Sequence, residues 1–405
     1  MRYKITYIFF LIAVVLYANT RIGGLGVTPR HIMTIMMFAV CVYEDRGLFM
    51  DRYFGIYLLF VAGFGFSSAI FGYFPVFLIR DFIGFYFVAY VGYWATKILV
   101  HKYDGVQWLI NTFIVMGMVD AVVTVGQLFN ISIFQAIPDR IGIRLEADYV
   151  EAMEKGMDVM GLSLPGIMCN DVYNGYFLMV VSVLCLYYQK NRFNFIKLLP
   201  WMISMVALYG NQERGPLFIA LAFSVFVLFK VIRSSKSQLK PLYLIMFVFI
   251  SIFGVYVGLN FLLSGESRFA MGFDLTNRDS IYQHSIEYIR ENFLWGGWYN
   301  LLFTRGFAPH NLFLNAWIYG GLVGFVAIVV LSFKQLIAVI RLIMSKLTPE
   351  SMANIVIAMA FFAFALNSLL HNKSVVTGDA IIWILWGAVL VNGRNRQLVQ
   401  LKEMS

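Results

Sequence analysis

Apolar runs of about 15 to 23 residues recur along the chain, parted by short polar breaks. Runs of that length fit helices crossing a ~30 Å hydrocarbon core. Twelve lie near 5–18, 31–44, 53–71, 82–98, 108–130, 174–188, 196–210, 216–232, 242–263, 311–333, 351–370 and 379–393. A membrane β-barrel needs shorter segments of alternating polarity, a pattern the chain does not carry. The expectation is an all-α, polytopic integral membrane protein, a single domain over 1–405 with about twelve transmembrane helices. The first run sits inside Met1 to Asn19. It is followed by Thr20-Arg21-Ile22-Gly23, which offers no small-residue cleavage site, so it reads as a retained span. Two polar breaks are long, 131–173 and 264–310.

Composition agrees with this pattern. The chain is 60% hydrophobic, 17% aromatic and 13% charged, whereas a soluble domain carries about 25% charged residues. A length that would allow two or three soluble domains therefore reads as one membrane domain. The net charge of +9 is no nucleic-acid signal, because the basic residues sit mostly in short loops. Arg2, Lys4, Arg46, Arg52, Lys97, Lys102, Lys190, Arg192 and the Arg233–Lys240 run fall on one side, which places both termini in the cytoplasm. The two long loops then lie outside. The first carries seven acids against three bases, with a short amphipathic helix expected over Glu146–Met160. Cys41, Cys169 and Cys185 have neither metal-ligand spacing nor a disulfide framework. Cys41 and Cys185 fall in apolar runs and Cys169 in an outer loop. The partners this composition implies are membrane lipids.

Charged residues are few, so those beside the bilayer carry the functional signal. Gln212-Glu213-Arg214-Gly215-Pro216 opens the eighth run. Pro216 suits a first helical turn, where its missing N–H costs nothing. Arg214 then stands at a helix N-terminus, whose free N–H groups and dipole already attract anions, and its planar fork matches phosphate. An interfacial Arg reaching for lipid headgroups is the competing reading, but Gln212 and Glu213 make a poor lipid anchor. Thr276-Asn277-Arg278-Asp279 reads as a second helix start, with a cap and an early acid. Ile281, Tyr282, Ile286, Ile289 and Phe293 make its apolar stripe, and Leu294-Trp295-Gly296-Gly297-Trp298 ends it. His284 and Arg290 on this helix read as a solvated face. Pro309-His310-Asn311 opens the tenth run. A helix N-terminus disfavours imidazolium, which keeps His310 neutral and able to take a proton from a sugar hydroxyl. For an isolated histidine an interfacial, turn-bonding role would be preferred, but here two other helix starts bring arginines to the same side.

Arg214, Arg278 and His310 together read as an electrostatic trap for a diphosphate with a base alongside. Arg80, Arg268, Arg305 and Asn311 are secondary contacts; for Arg268 and Arg305 a loop salt bridge explains the residue equally well. Asp120, inside the fifth run, is costly there without a partner, and lining a cavity or pairing with an arginine explain it equally. No metal signature appears, so the expected site uses no metal and no cofactor.

These residues resemble the O-antigen ligase and O-antigen polymerase superfamily of bacterial envelopes. The likeness is carried by Arg214-Gly215, by Asn277-Arg278-Asp279-Ser280-Ile281-Tyr282, and by Ile289-Arg290-Glu291-Asn292-Phe293-Leu294-Trp295-Gly296-Gly297. It continues through Pro309-His310-Asn311-Leu312-Phe313-Leu314-Asn315 and Tyr319-Gly320-Gly321-Leu322-Val323-Gly324. It covers roughly 200–330, together with the twelve-run layout. The resemblance implies a GT-C-like membrane glycosyltransferase in the bacterial inner membrane with its active site in the periplasm. It also implies an inverting, metal-independent transfer from an undecaprenyl-diphosphate-linked oligosaccharide. Arg214 and Arg278 match the family arginines that grip the diphosphate, and His310 matches the family histidine that activates the acceptor. The chain departs from the family at Pro216, where small residues are more usual, and at Tyr282, where Trp is frequent. Its long loop is short beside many ligases.

The short loop favours a polymerase that joins lipid-linked repeat units, partnered by a chain-length regulator or a flippase. The alternative is a ligase that moves the glycan to lipid A–core or another acceptor. A lipid-linked oligosaccharide flippase would concentrate charge at the midplane and show related halves; this chain does neither. A passive scaffold would explain neither Arg278 nor His310.

Overall fold

The computed structural model describes residues 2–16, 28–48, 51–140, 164–168, 171–190, 193–211, 213–234, 276–306, 309, 311–369 and 374–403. Residues 139, 171, 214, 276–279, 350 and 392–403 are described by backbone alone. Helices α1 (Arg2–Val15), α2 (Pro29–Glu44) and α3 (Arg52–Ile70) open the chain. Then come α4 (Phe74–Tyr103), α5 (Val106–Leu128), α6 (Ser132–Arg140), α7 (Asp171–Cys185), α8 (Leu199–Asn211) and α9 (Arg214–Ser234). The last five are α10 (Thr276–Glu291), α11 (Trp298–Arg305), α12 (Leu312–Ile343), α13 (Pro349–Asn367) and α14 (Ala380–Glu403). Among the described residues the fold is all-helical. Eleven of the twelve predicted runs fall on helices, and 242–263 lies outside the described residues. Among the described residues six helical stretches are long and apolar enough to cross a membrane: Arg52–Ile70, Phe74–Tyr103, Val106–Leu128, Val172–Gln189, Gly215–Ser234 and Leu312–Ile343. The chain is a helical membrane protein.

Local chemistry sets the helix ends. Asp51 caps α3, accepting from Tyr53 N at 2.9 Å and Phe54 N at 3.1 Å. Thr348 caps α13 beside Pro349 in a box with Ser351. The helix containing the predicted 82–98 run begins earlier, at Phe74. Its stretch Phe77–Tyr86 is wound as a π-helix, a wide turn that is rare and concentrated at functional sites.

The core is aromatic and centred where α3, α4 and α14 meet. Tyr57 lies against Trp383 with ring centroids 4.3 Å apart, and Phe54 against Tyr90 at 4.4 Å. Helix α12 packs along α3 at close range. A Cβ on Gly63 would stand 2.9 Å from the Gly320 carbonyl oxygen, so the two backbones approach as near as glycine permits.

One basic residue departs from the reading of the loops. Lys97 is not in a loop: it is 2% exposed, within α4, with its Nζ 2.7 Å from Asp51 Oδ2. Tyr93 donates its hydroxyl to the same carboxylate oxygen. Lys230 behaves similarly. Its ammonium caps the end of α12, donating to Ile343 O and, at 3.0 Å, to Ser345 O.

Candidate functional site

Helix α12 is broken at Gly321, whose φ of 62° and ψ of −157° are non-helical. In a regular helix Leu322 N would donate to Ile318 O. Here Leu322 N donates to Leu294 O at 3.2 Å, and Ile318 O accepts from Gly297 N at 2.8 Å. The segment Leu294–Gly297 is thus spliced into the backbone ladder of α12, and neither buried peptide group loses its partner. Only glycine allows it. A Cβ on Gly321 would stand 2.1 Å from Leu294 O, and one on Gly296 (φ 72°) would stand 2.5 Å from Ile318 O. Side chains secure the joint. Tyr288 donates to Gly297 O at 2.8 Å, Trp317 Nε1 to Phe293 O at 2.9 Å, and Trp298 stacks on Tyr319 at 4.3 Å.

The splice fixes which face of α10 is buried. Ser285, Tyr288 and Ile289 are buried, whereas Ile286, Phe293, Leu294 and Trp295 are exposed. The predicted stripe through Ile286 and Phe293 is therefore corrected: the bonds of Tyr288 and the glycine joint turn the helix, and Ile286 and Phe293 are left exposed. His284 and Arg290 are exposed, as read from the sequence.

Three helix starts gather near the ends of α7 and α13. Asn311 caps α12, accepting from Phe313 N at 2.9 Å and Leu314 N at 3.2 Å, while its Nδ2 donates to Leu369 O at 3.1 Å. Just beyond α13 the turn before α14 is held from two other helices: Tyr57 donates to Val375 O at 2.9 Å and Tyr86 to Val376 O at 2.7 Å. Asp379 then caps α14 through Ile381 N at 2.9 Å. Helix α9 begins at Arg214, next to α7; a Cβ on Gly175 would stand 3.0 Å from Cβ of Glu213. Each start presents the positive end of a helix dipole, and the caps of α12 and α14 take up first-turn N–H groups.

Against this geometry the predicted residues fall as follows. Arg214 is the first residue of α9, and Arg278 lies in the first turn of α10, both described by backbone alone. His310 and Arg268 lie outside the described residues, as do Cys169, 242–263 and Glu146–Met160. Arg305 forms a salt bridge, Nη2 to Glu291 Oε2 at 2.7 Å, over the ring of Tyr288. Arg80 is 58% exposed, its Nε 4.0 Å from Asp81 Oδ1. The other Asp81 oxygen accepts the hydroxyl of Tyr299 on α11, so the π-wound part of α4 is tied to the second long loop. Burial and then the Asp81 carboxylate push the Tyr299 hydroxyl above its usual value, and it keeps its proton. Asp81 stood beside Arg80 in the sequence with no role given to it. Its one signal was an acid at the mouth of a span.

Among the described residues no arginine pairs with Asp120. Its Oδ1 accepts from Ile167 N at 2.9 Å, in the short segment 164–168 of the first long loop. Gln127 clasps Gly166 on both sides, donating to its carbonyl and accepting from its N–H, each at 3.0 Å. Asn174 and Asn211 both donate to Leu164 O at 2.8 Å. These polar residues on α5, α7 and α8 dock an outer-loop segment into the helices. Cys41 and Cys185 are buried and free. Among the described residues no three His, Cys, Asp or Glu side chains gather as a metal site. No protein-family model matches the chain, and no curated protein matches it.

Proposed function

We propose that the protein is a surface-polysaccharide polymerase of the bacterial inner membrane. It would be a GT-C-type glycosyltransferase of about twelve spans, acting at the periplasmic face. The observation that supports this most is where three helices begin: α9 at Arg214, α10 with Arg278 in its first turn, and α12 directly after Asn311. The sequence reading needs helix N-termini at those three places to hold an anionic donor.

In this account Arg214 and Arg278 grip the diphosphate of an undecaprenyl-linked glycan, each beside N–H groups of its helix start. A hydroxyl of a second lipid-linked repeat unit attacks the anomeric carbon from the face opposite the diphosphate. The new C–O bond forms as the anomeric C–O bond to phosphate breaks, and undecaprenyl diphosphate leaves with the electron pair. The hydroxyl proton passes to neutral His310. The arginines offset the charge that develops on the leaving group, so no metal is required for that role. The glycine splice, by joining α10 to α12, ties the helix bearing Arg278 to the helix that follows His310.

Purified protein in lipid vesicles, given undecaprenyl-diphosphate repeat units alone, should build a ladder of longer lipid-linked glycans. Transfer only after lipid A–core is added would make the protein a ligase.

A further inference from the structure

Two asparagines beside the start of α12 stand out by what they do not touch. Asn315 lies one turn below Asn311, on the same face of α12. Asn367 is the last residue of α13, two before Leu369, whose carbonyl binds Asn311. They are 1% and 0% exposed. Among the described residues neither the amide nitrogen nor the amide oxygen of either one has a hydrogen-bond partner. Asn311 and Gln127 use both ends of their amides, and Asn174 and Gln335 leave one end without a partner; Asn315 and Asn367 leave both. A buried orphan costs more than an ordinary hydrogen bond returns. Leucine, of similar size, would fill either position without that cost.

The unpaired atoms are donors and acceptors together. An anionic oxygen satisfies the two Nδ2 groups and leaves both Oδ1 atoms empty. A hydroxyl donates and accepts, and so serves both. The neighbouring helix starts already provide for the anion.

We propose that Asn315 and Asn367 form a hydroxyl-recognition subsite that selects the glycan portion of the lipid-linked substrate. This rests on the polymerase reading, and it assigns to that site a part distinct from the diphosphate grip. Left unpaired, the two amides penalise any occupant that lacks hydroxyls, as a site built around polar contacts does.

The test uses full-length protein in nanodiscs, with Asn315→Leu and Asn367→Leu made singly. Two probes are titrated: undecaprenyl diphosphate bearing one repeat unit, and undecaprenyl diphosphate without sugar. Thermal unfolding is measured in parallel. Each variant should unfold a few degrees higher than the wild type, because orphan groups have been removed. Each should bind the sugar-bearing lipid about tenfold or more weakly and the sugar-free lipid unchanged. Lower unfolding temperatures would mean the amides are satisfied within the fold and would overturn the inference. Equal weakening of both lipids would assign them to phosphate and overturn it as well. Should the wild type bind neither lipid, the polymerase reading fails by itself, and the inference that rests on it goes with it even if the variants unfold higher.

Discussion

Replacing Gly321 by alanine should undo the joint between α10 and α12. The glycine sits at φ 62° and ψ −157°, a region that is essentially glycine's alone and costs other residues about 1–3 kcal/mol. The new Cβ would lie 2.1 Å from Leu294 O, so Leu294–Gly297 has to withdraw. Helix α12 can then close its own Leu322–Ile318 bond, which leaves Leu294 O and Gly297 N as the groups without partners. Each such buried group costs about 1–3 kcal/mol. The two orphaned groups together cost about 2 kcal/mol at least, with the loss confined to the joint. Hydrogen exchange over 290–300 and 315–325 should rise in Gly321→Ala while α3, α5 and α7 stay protected, and the unfolding midpoint should fall. Gly55→Ala is the control: nothing lies within 4 Å of its added Cβ, and an alanine inside a helix gains about 0.5–1 kcal/mol over glycine. If Gly321→Ala exchanged and unfolded like the wild type, the splice would not be holding α10, and the reasoning would be refuted.

Asp51→Asn should cost about 3–5 kcal/mol, because it keeps the α3 cap but removes the carboxylate charge opposite buried Lys97; recovery in Asp51→Asn/Lys97→Met would identify the lost ion pair as the cause. Burial pushes the Asp51 carboxyl up, but the bonds from Lys97 and Tyr93 outweigh it and hold the group below its ordinary value of 3.8. Its stabilisation is therefore present above that value and lost as pH falls through the lower folded value, so an unfolding midpoint insensitive to acid would contradict the pair's role. Asp120→Ala should leave Ile167 N unsatisfied at about 1–3 kcal/mol and loosen 164–168 to proteolysis, whereas Asp120→Asn keeps an acceptor and should not. Arg278→Lys should restore donor binding only in part, since a point charge lacks the guanidinium fork; full restoration in a lipid-binding titration would show that charge alone matters.

The eleven described runs were legible because each is a local apolar stretch, whereas the short helices α6 and α11 inside the long polar breaks were not. Nor was the joint. Gly296-Gly297 reads locally as a helix stop and Gly320-Gly321 as a permissive stretch in a span. Nothing in either pair says that one is threaded into the other. The same limit hid Lys97, whose partner Asp51 lies in another helix start, and the docking of 164–168 by Asp120 and Gln127. It also misassigned the buried face of α10, where a hydrogen bond from Tyr288 outweighs the apolar side chains of Ile286 and Phe293. Helix starts at Arg214, at Thr276 and after Asn311 could be read because capping and proline signals are local. Asn315 and Asn367 carry no local signal; their unpaired amides exist only once α12 and α13 are packed.

The most direct test of the central claim compares wild type with His310→Ala in the same vesicles, with undecaprenyl-diphosphate repeat units as the sole substrate. The account predicts a glycan ladder from the wild type. It predicts a loss of about 10²–10⁴-fold in turnover for His310→Ala, with binding of the lipid-linked donor retained. A normal ladder from His310→Ala would remove the base from the mechanism. No product from the wild type, with or without a lipid A–core acceptor, would contradict glycosyl transfer itself.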